Sequence, residues 1–555
     1  MVAMVDDRII GNIERFVDAE LKGRKHPGSS LSIIEGNSIV WSKGFGYSNI
    51  DVKLPAEPGS VYRCASVTKP VVTVGLLQLM EQGKFNLDDE VNTHLDVKIR
   101  EVSGDKPTIR DLLTHQSGMP TRVPPIFLMD EKPLTMQGYL KSAARSVRPR
   151  GEKWAYCNTA YMIVGYLIEL LTGQTYDDYV TENVLEPLNM NSSAFTLTPI
   201  IKNKLVQGYK RAGGPEESII SVAPYKLGTK PEDPAGSLYS TVLDLANFVI
   251  MNLNEGVFEG KRILKEETIM EMQKLQSPSG NSRSGMGLTW FYTIHDDHIM
   301  LNHTGGLPDF TNNVCFYPYE KVGVCWLSNL QDGSGWRPPS PTVLRIALDE
   351  VPQVEPRAFQ TIPENWEAIS GYYGDELNKT KIQPLNGFMV MDENLLLERT
   401  SKSIYRVHGT SHDGDELTFE YNEDGSVKQF CLGTTVMPRY IPPSWAVDDT
   451  MELTGKWSGE YYDSSGFHYL ELLVGGSSSG TVIAHTGEKI ELEDFSAKEG
   501  KVKGTFTYNI PEEYARWGTN KLLKVDIDLL ATEGKLKGVL RTNRGSAFIE
   551  MEKKG

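Results

Sequence analysis

With 555 residues, 39% of them hydrophobic and 23% charged, the chain has the composition of a soluble globular protein and the length of three or four domains. Its formal net charge of −16 excludes the usual nucleic-acid binder, which needs a basic face against phosphate. No apolar run reaches the length of a membrane helix, so no membrane partner is expected.

The opening stretch, MVAMVDDRIIGNIERF, lacks the basic region and apolar core of a secretory signal. It predicts an amphipathic helix with Ile9, Ile10, Ile13, Phe16 and Val17 on one side. Five cysteines without metal-type spacing are expected to be free thiols in a reducing, cytoplasmic setting. Residues 30–48 read as a hairpin: Leu31, Ile33 and Ile34 precede a turn at Glu35-Gly36-Asn37, and Ile39 and Trp41 follow it. Helical patterns cover about 66–82, 158–172, 240–253 and 264–275. Asn158 reads as the N-cap of the second of these and Gly173 as its stop. Strand-like runs follow within 299–329, notably Val314-Cys315-Phe316-Tyr317 and Val322-Gly323-Val324-Cys325-Trp326-Leu327, then a last helix near 342–350.

The pattern then changes. Residues 351–365 hold three prolines and read as a linker. Beyond them strands dominate: Leu417, Phe419 and Tyr421 alternate with Thr418 and Glu420. After a second proline-rich break at 437–443, Val502, Gly504, Phe506, Tyr508 and Ile510 alternate with polar residues, as do Leu523, Val525, Ile527 and Leu529. This period of two predicts two small antiparallel barrels. Gly371-Tyr372-Tyr373-Gly374 and Gly459-Glu460-Tyr461-Tyr462 hint that the two blocks are related.

The chemistry concentrates in the first 350 residues. Ser66-Val67-Thr68-Lys69 opens an apolar run over 71–80, and residues three apart on a helix share a face. A lysine held neutral one turn from a serine can take its proton and make it a nucleophile. Pro70 fits a first helical turn and places Ser66 near free backbone N–H groups. Ser103-Gly104-Asp105-Lys106 has the same spacing, but it precedes Pro107 and reads as a loop. Tyr156-Cys157-Asn158 ends a loop just before a helix; a tyrosine can relay a proton and an amide can hold a substrate carbonyl. In His303-Thr304-Gly305-Gly306 the glycines let backbone approach a substrate, so that an N–H there can pair with that of Ser66 around an oxyanion. Decoys exist: Tyr47-Ser48-Asn49 repeats the second pattern and His485-Thr486-Gly487 the third. Cys64 and Cys157 lie beside site residues, yet neither has an evident base, and both read as small buried apolar side chains.

The ordered triple resembles the serine β-lactamases and penicillin-binding proteins, and within them the class C-like branch of S12 peptidases and related esterases. Arg110-Asp111-Leu112-Leu113-Thr114-His115-Gln116-Ser117-Gly118-Met119-Pro120, Ala235-Gly236-Ser237-Leu238-Tyr239-Ser240-Thr241 and His303-Thr304-Gly305-Gly306-Leu307 carry the resemblance further, over roughly residues 8–350. It implies an α/β (α+β) β-lactamase/transpeptidase-like domain over 1–355, an antiparallel sheet flanked by helices. Two small antiparallel β-barrel-like domains follow, at 366–445 and, lipocalin-like, at 452–555. It implies catalysis by Ser66, Lys69 and Tyr156, with Lys69 and Tyr156 sharing the proton work. Asn158, His303, Gly305 and Gly306 would contact substrate, and the Ser66 and Gly306 N–H groups would form the oxyanion hole. His115 would be scaffold, and no metal or organic cofactor would be needed.

One departure narrows the substrate. The best-known members carry Lys-Thr-Gly where this chain has His303-Thr304-Gly305. Histidine is shorter and neutral for much of the time near pH 7, which counts against β-lactam and cell-wall D-Ala-D-Ala substrates. The position is similar to that in D-aminopeptidases, which also carry two C-terminal barrels, and in esterase-like relatives. The expected protein is a cytoplasmic serine hydrolase acting on a small molecule or short peptide, an amide or ester, through an acyl-enzyme. An acyltransferase of the same fold, as in secondary-metabolite synthesis, and a non-catalytic binding or scaffold protein are the rivals. The C-terminal barrels would either cover the cleft or serve stability and homo-oligomerisation.

Overall fold

The computed structural model describes residues 5–23, 25–99, 106–119, 136–142, 146, 149–152, 154–211, 219–221, 233–278, 284–295, 298–307, 309–331, 338–350, 366–374, 379–385, 388–392, 395–408, 415–433, 435–440, 447–463, 466–483, 489–509, 522–542 and 545–554. The linker expected at 351–365 and the decoys Ser103 and His485 lie outside them.

The centre of the first 350 residues is a nine-stranded antiparallel sheet. From one edge it runs Ser277–Pro278, Ser284–Met286, Phe291–His295, His298–Leu307, Phe310–Tyr317, Val322–Ser328, Gly28–Glu35, Ser38–Asn49 and Leu54–Pro55. The expected hairpin forms around Gly36 (φ +61°) and pairs with the late strands, Leu31 opposite Trp326. Both faces of the sheet are covered, so its middle strands read as continuous apolar runs; every residue of Phe310–Tyr317 and Val322–Ser328 is buried. On one face lie the helices Asp7–Gly23 and Ser340–Ala347, packing Ile9, Ile13, Val17, Val343 and Leu344 on Leu31, Ile33, Val324 and Trp326. On the other face Val242–Leu253 packs against Ile34, Val314, Phe316 and Leu327, in one core with Thr68–Glu81. Asn158–Thr172 packs in turn on Thr68–Glu81. Thr68–Glu81 is enclosed by Asn158–Thr172, Tyr176–Val180 and Asp233–Gly236, which is why it is apolar all round rather than amphipathic.

The β-lactamase/transpeptidase-like arrangement of sheet and helices is followed by two sheets that each curl into a nearly closed barrel. The first is an eight-stranded meander from Gly371–Gly374 to Thr435–Pro438. Its ends meet where Tyr440 N donates to Tyr372 O (2.9 Å). Tyr373, Tyr405, Leu417, Phe419 and Phe430 fill it. The second has nine strands, with its opening strand Gly455–Asp463 paired to its last, Gly545–Lys554. Trp457, Val502, Phe506, Val525, Ile527 and Leu529 face its core, as the alternation predicts. The two tyrosine-glycine patterns each lie in the opening strand of their sheet. Among the described residues no helix is long and apolar enough to cross a membrane.

His298 ties the sheet to the residues that follow the helix Ser340–Ala347. Its Nδ1 meets Glu320 Oε1 at 2.6 Å and its Nε2 meets Glu350 Oε1 at 2.9 Å. Burial works against the charged ring, but the hydrogen bonds to Glu320 and Glu350 outweigh it and hold the imidazole above its usual range. A group raised on folding contributes fully below its unfolded value and loses its contribution as pH rises through the folded one. The stability difference between wild type and His298→Gln is therefore expected to be largest below about pH 6.5 and to shrink as the pH is raised beyond it. Thermal denaturation of both proteins across a pH series measures it.

Candidate active site

Ser66 lies in a one-turn 3₁₀ segment, Ala65–Val67, that runs directly into Thr68–Glu81. Pro70 occupies the first turn of that helix, where its missing N–H is no loss. Ala65, just before Ser66, is held in the left-handed region at φ +52°, a strained conformation for a residue with a Cβ. Neighbouring segments hold it there. Cys64 N donates to Leu238 O (2.8 Å), Leu238 N to Thr68 Oγ1 (2.9 Å) and Thr68 Oγ1 to Ala65 O (2.6 Å). The strand His298–Leu307 presses from the side: a Cβ on Gly305 would stand 2.2 Å from Cys64 O. Ser66 stays partly exposed among buried neighbours.

Lys69 is fully buried. Its Nζ donates to Ser66 Oγ (2.9 Å), Asn158 Oδ1 (2.8 Å) and Ala235 O (2.7 Å). It also lies 5.0 Å from the centre of the Tyr156 ring and 5.4 Å from that of Tyr161. As an ammonium it has an acceptor for each proton. As a free amine it keeps two donors and can turn its lone pair to the Ser66 hydroxyl.

Asn158 corrects the sequence reading. It is the first residue of the helix Asn158–Thr172, not its cap; Cys157 caps it, its Sγ accepting from Ala160 N (3.3 Å). The cause is Lys69, which engages the Asn158 amide oxygen and leaves it unavailable to the helix N–H groups. Gly173 ends the helix at φ +77°, as expected.

Tyr156 reaches the site from the loop before that helix and stacks parallel to Phe291, their ring centres 6.3 Å apart and their planes 6° apart. The Arg110-Asp111 segment supports the loop: Asp111 completes the capping box of Ile109–Leu113 and also accepts from Arg150 Nε (2.6 Å). Gly151 N donates to Gln116 O (2.9 Å).

His303 reaches the wall of the site but not its surface. It is fully buried, its Nδ1 donates to Thr304 O (2.8 Å), and its ring lies 5.3 Å from Phe291 and 6.3 Å from Tyr156. Gly306, three residues on, is exposed. Ser66, Lys69, Tyr156, Asn158, His303, Gly305 and Gly306 thus converge. The decoy Tyr47 lies in the hairpin strand Ser38–Asn49 and is 42% exposed. The thiols beside the site are buried. Burial pushes Cys64 well above the usual thiol range and Cys157 up to about 11, so neither supplies a thiolate.

Three contributors carried no catalytic signal in the sequence: the Ala235 carbonyl, Phe291 and His115. The first is backbone in one of the segments that carry the resemblance; the second is one of three consecutive aromatics, Trp290-Phe291-Tyr292, with nothing local to single it out. Among the described residues no group of three His, Cys, Asp or Glu side chains could hold a metal ion.

The structure thus groups a serine and a buried lysine one turn apart, a tyrosine beside them and a glycine strand along the serine. The chain belongs to the β-lactamase family, whose model matches residues 13–347. It is similar to the protein flp of Staphylococcus aureus (strain N315), 25% identical over 326 residues, 57% of this chain and 62% of flp. A human (Homo sapiens) protein described as beta-lactamase-like 1 is 27% identical over 368 residues, 62% of this chain and 69% of that protein. The chain therefore spans less than two thirds of the staphylococcal relative. The structure of the octameric penicillin-binding protein homologue from Pyrococcus abyssi shares the fold over 97% of this chain and 99% of its own, with a TM-score of 0.54 at 21% identity.

Gly305→Ala tests the site's tightest contact. The new methyl meets backbone rather than a flexible side chain, so the strand or the nucleophile turn has to move. Overpacking of this kind costs about 1–3 kcal/mol of stability. Labelling of Ser66 by a fluorophosphonate is expected to slow by about a hundredfold, the scale of a 1 Å misplacement. Denaturant unfolding and labelling kinetics on the same protein separate the two effects.

Proposed function

We propose that the protein is a serine hydrolase that forms an acyl-enzyme at Ser66 from a small amide or ester, with a D-aminopeptidase-like or esterase-like substrate. The observation that carries this reading is the Ser66–Lys69 pair: a partly exposed hydroxyl 2.9 Å from a fully buried amine. In its neutral form Lys69 takes the Ser66 proton as Oγ bonds to the acyl carbon. The carbonyl electrons move onto oxygen, facing the N–H groups of Ser66 and Gly306. Collapse expels the amine or alcohol, which receives a proton by way of Lys69 and Tyr156. Water then attacks the acyl carbon, giving up a proton through Tyr156, and Ser66 leaves with its proton restored. Asn158 holds Lys69 and, at the mouth of the site, the substrate amide.

The buried His303 supports a substrate that needs no carboxylate anchor. To bind one, its ring would have to leave Thr304 O and displace Phe291. We assign the hydrolase to residues 1–355 and the barrels to 366–445 and 452–555. The octameric state of the Pyrococcus abyssi homologue supports a homo-oligomer. The five buried cysteines, none of them in a disulfide, support a reducing, cytoplasmic setting.

Ser66→Ala is expected to abolish both turnover of p-nitrophenyl acetate and fluorophosphonate labelling while the protein stays folded. Lys69→Ala and Tyr156→Phe should each cost at least about a hundredfold, the scale of lost acid–base help. Tyr47→Phe should change nothing. Label on any residue other than Ser66 would sink the assignment. An added alcohol or amine that suppresses hydrolysis and enters the product would make the protein an acyltransferase.

A further inference from the structure

Tyr156 belongs to no helix or strand; it lies in the irregular stretch 154–157. A phenol that must pass protons at a fixed distance needs support from elsewhere. The two peptide N–H groups that flank it go to one residue. Ala155 N donates to the carbonyl oxygen of His115 (3.1 Å), and Cys157 N donates to Nδ1 of His115 (3.0 Å). The His115 ring also lies against the Tyr156 ring, centres 4.4 Å apart, with Tyr161 at 5.3 Å and Trp154 at 6.0 Å.

We infer that His115 is a positioning residue for Tyr156: its carbonyl and its Nδ1 clamp the peptide groups on either side of the phenol, and its ring backs the phenol ring. The inference rests on the reading of Tyr156 as the proton relay. It gives a task to a histidine that the sequence assigns only to scaffold.

The details fit a clamp better than filler. His115 is 1% exposed and sits at φ +60°, in the left-handed region that Asn, Asp and His enter more readily than other residues with a Cβ. Nδ1 can accept from Cys157 N only if it carries no proton, so the ring proton sits on Nε2. Burial keeps the ring neutral, pushing it well below the usual histidine range, and Lys69 and His303 push the same way. Nε2 is itself buried and finds no partner among the described residues. An unpartnered buried N–H is unfavourable. Packing alone would be served better by phenylalanine, which backs the phenol equally well but leaves Cys157 N–H without an acceptor.

Two substitutions separate the roles. His115→Asn keeps the left-handed preference and presents an amide oxygen near the place of Nδ1. His115→Phe keeps the ring and removes the acceptor. Should H115F not fold, H115Q replaces it, since its amide reaches toward Nε2 rather than Nδ1. The full chain is assayed for p-nitrophenyl acetate turnover and for fluorophosphonate labelling, with Ser66→Ala alongside. Independently of activity, a 3-fluorotyrosine at position 156 reports the phenol's environment by ¹⁹F NMR. H115N is expected to keep kcat within a few-fold and a single sharp line. H115F is expected to lose kcat about tenfold or more at an unchanged KM, the scale of a misplaced catalytic group, and to show a broadened or split line. A folded H115F (or H115Q) with wild-type kcat and one sharp line would overturn the inference. So would an H115N that loses as much activity and melting temperature as H115F. If the wild type failed to label at Ser66, the hydrolase reading would fall, while the ¹⁹F line would still judge the clamp.

Discussion

A buried amine organises the first 350 residues. Taking a lysine ammonium out of water costs several kcal/mol unless its donors are matched. Lys69 meets that demand with acceptors from three places in the chain: Ser66 one turn back, Asn158 at the head of a second helix and the Ala235 carbonyl of a short helix, Asp233–Gly236. These segments must converge to well within an ångström, and glycine makes the room. A Cβ on Gly165 would stand 2.3 Å from Pro234 Cγ, so the helix bearing Asn158 can approach the turn bearing Ala235 only because residue 165 has none. The strain at Ala65 and the thiol cap at Cys157 follow from the same convergence.

The segment 108–118 is mechanical. Asp111 caps its own helix and holds Arg150; Arg110 reaches Asp88 at 2.7 Å and Glu271 at 2.6 Å. Gln116 holds Gly151 through its carbonyl and Ser277 through its side chain. The loop that delivers Tyr156 is thereby tied at its start, and His115 ties it at its end. The same edge of the sheet meets the first barrel, where Ser284 Oγ donates to Gly433 O. Gly433 lies in the turn between the strands Val427–Leu432 and Thr435–Pro438. The barrel therefore touches the two-strand edge that Gln116 anchors.

Local periodicity made part of this legible. Ser66 and Lys69 stand out because a three-residue spacing on a helix is a contact, and Gly36 and Gly173 because positive φ favours glycine. Leu417 and Phe419, or Val525, Ile527 and Leu529, alternate because one face of each strand is wet. What escaped was long-range or carried by backbone. Asn158 has every local mark of a cap, and only a lysine distant in sequence takes it away. The pairing of Leu31 with Trp326 has no local sign, nor has a carbonyl such as that of Ala235. His115 lay in a recognised segment, but its contacts with Ala155 and Cys157 depend on how two loops meet.

His303 shows how a pattern can hold while its use changes. Its strand brings Gly305 against the turn before Ser66 and leaves Gly306 exposed, as the proposed chemistry requires. Its ring, however, bonds back to its own backbone beneath Phe291. That edge of the site is consequently aromatic: Phe291 and Tyr156 stack there, and the imidazole is behind them. Aromatic faces favour apolar and neutral groups, whereas a buried neutral ring offers a carboxylate little attraction in exchange for its hydration. In the proposed mechanism attack by Ser66 does not depend on that edge, because Lys69 would act on the Ser66 hydroxyl and the backbone N–H groups on the scissile carbonyl. On that reading, a change of residue at this place would alter which acyl groups are admitted without rebuilding the Ser66–Lys69 pair.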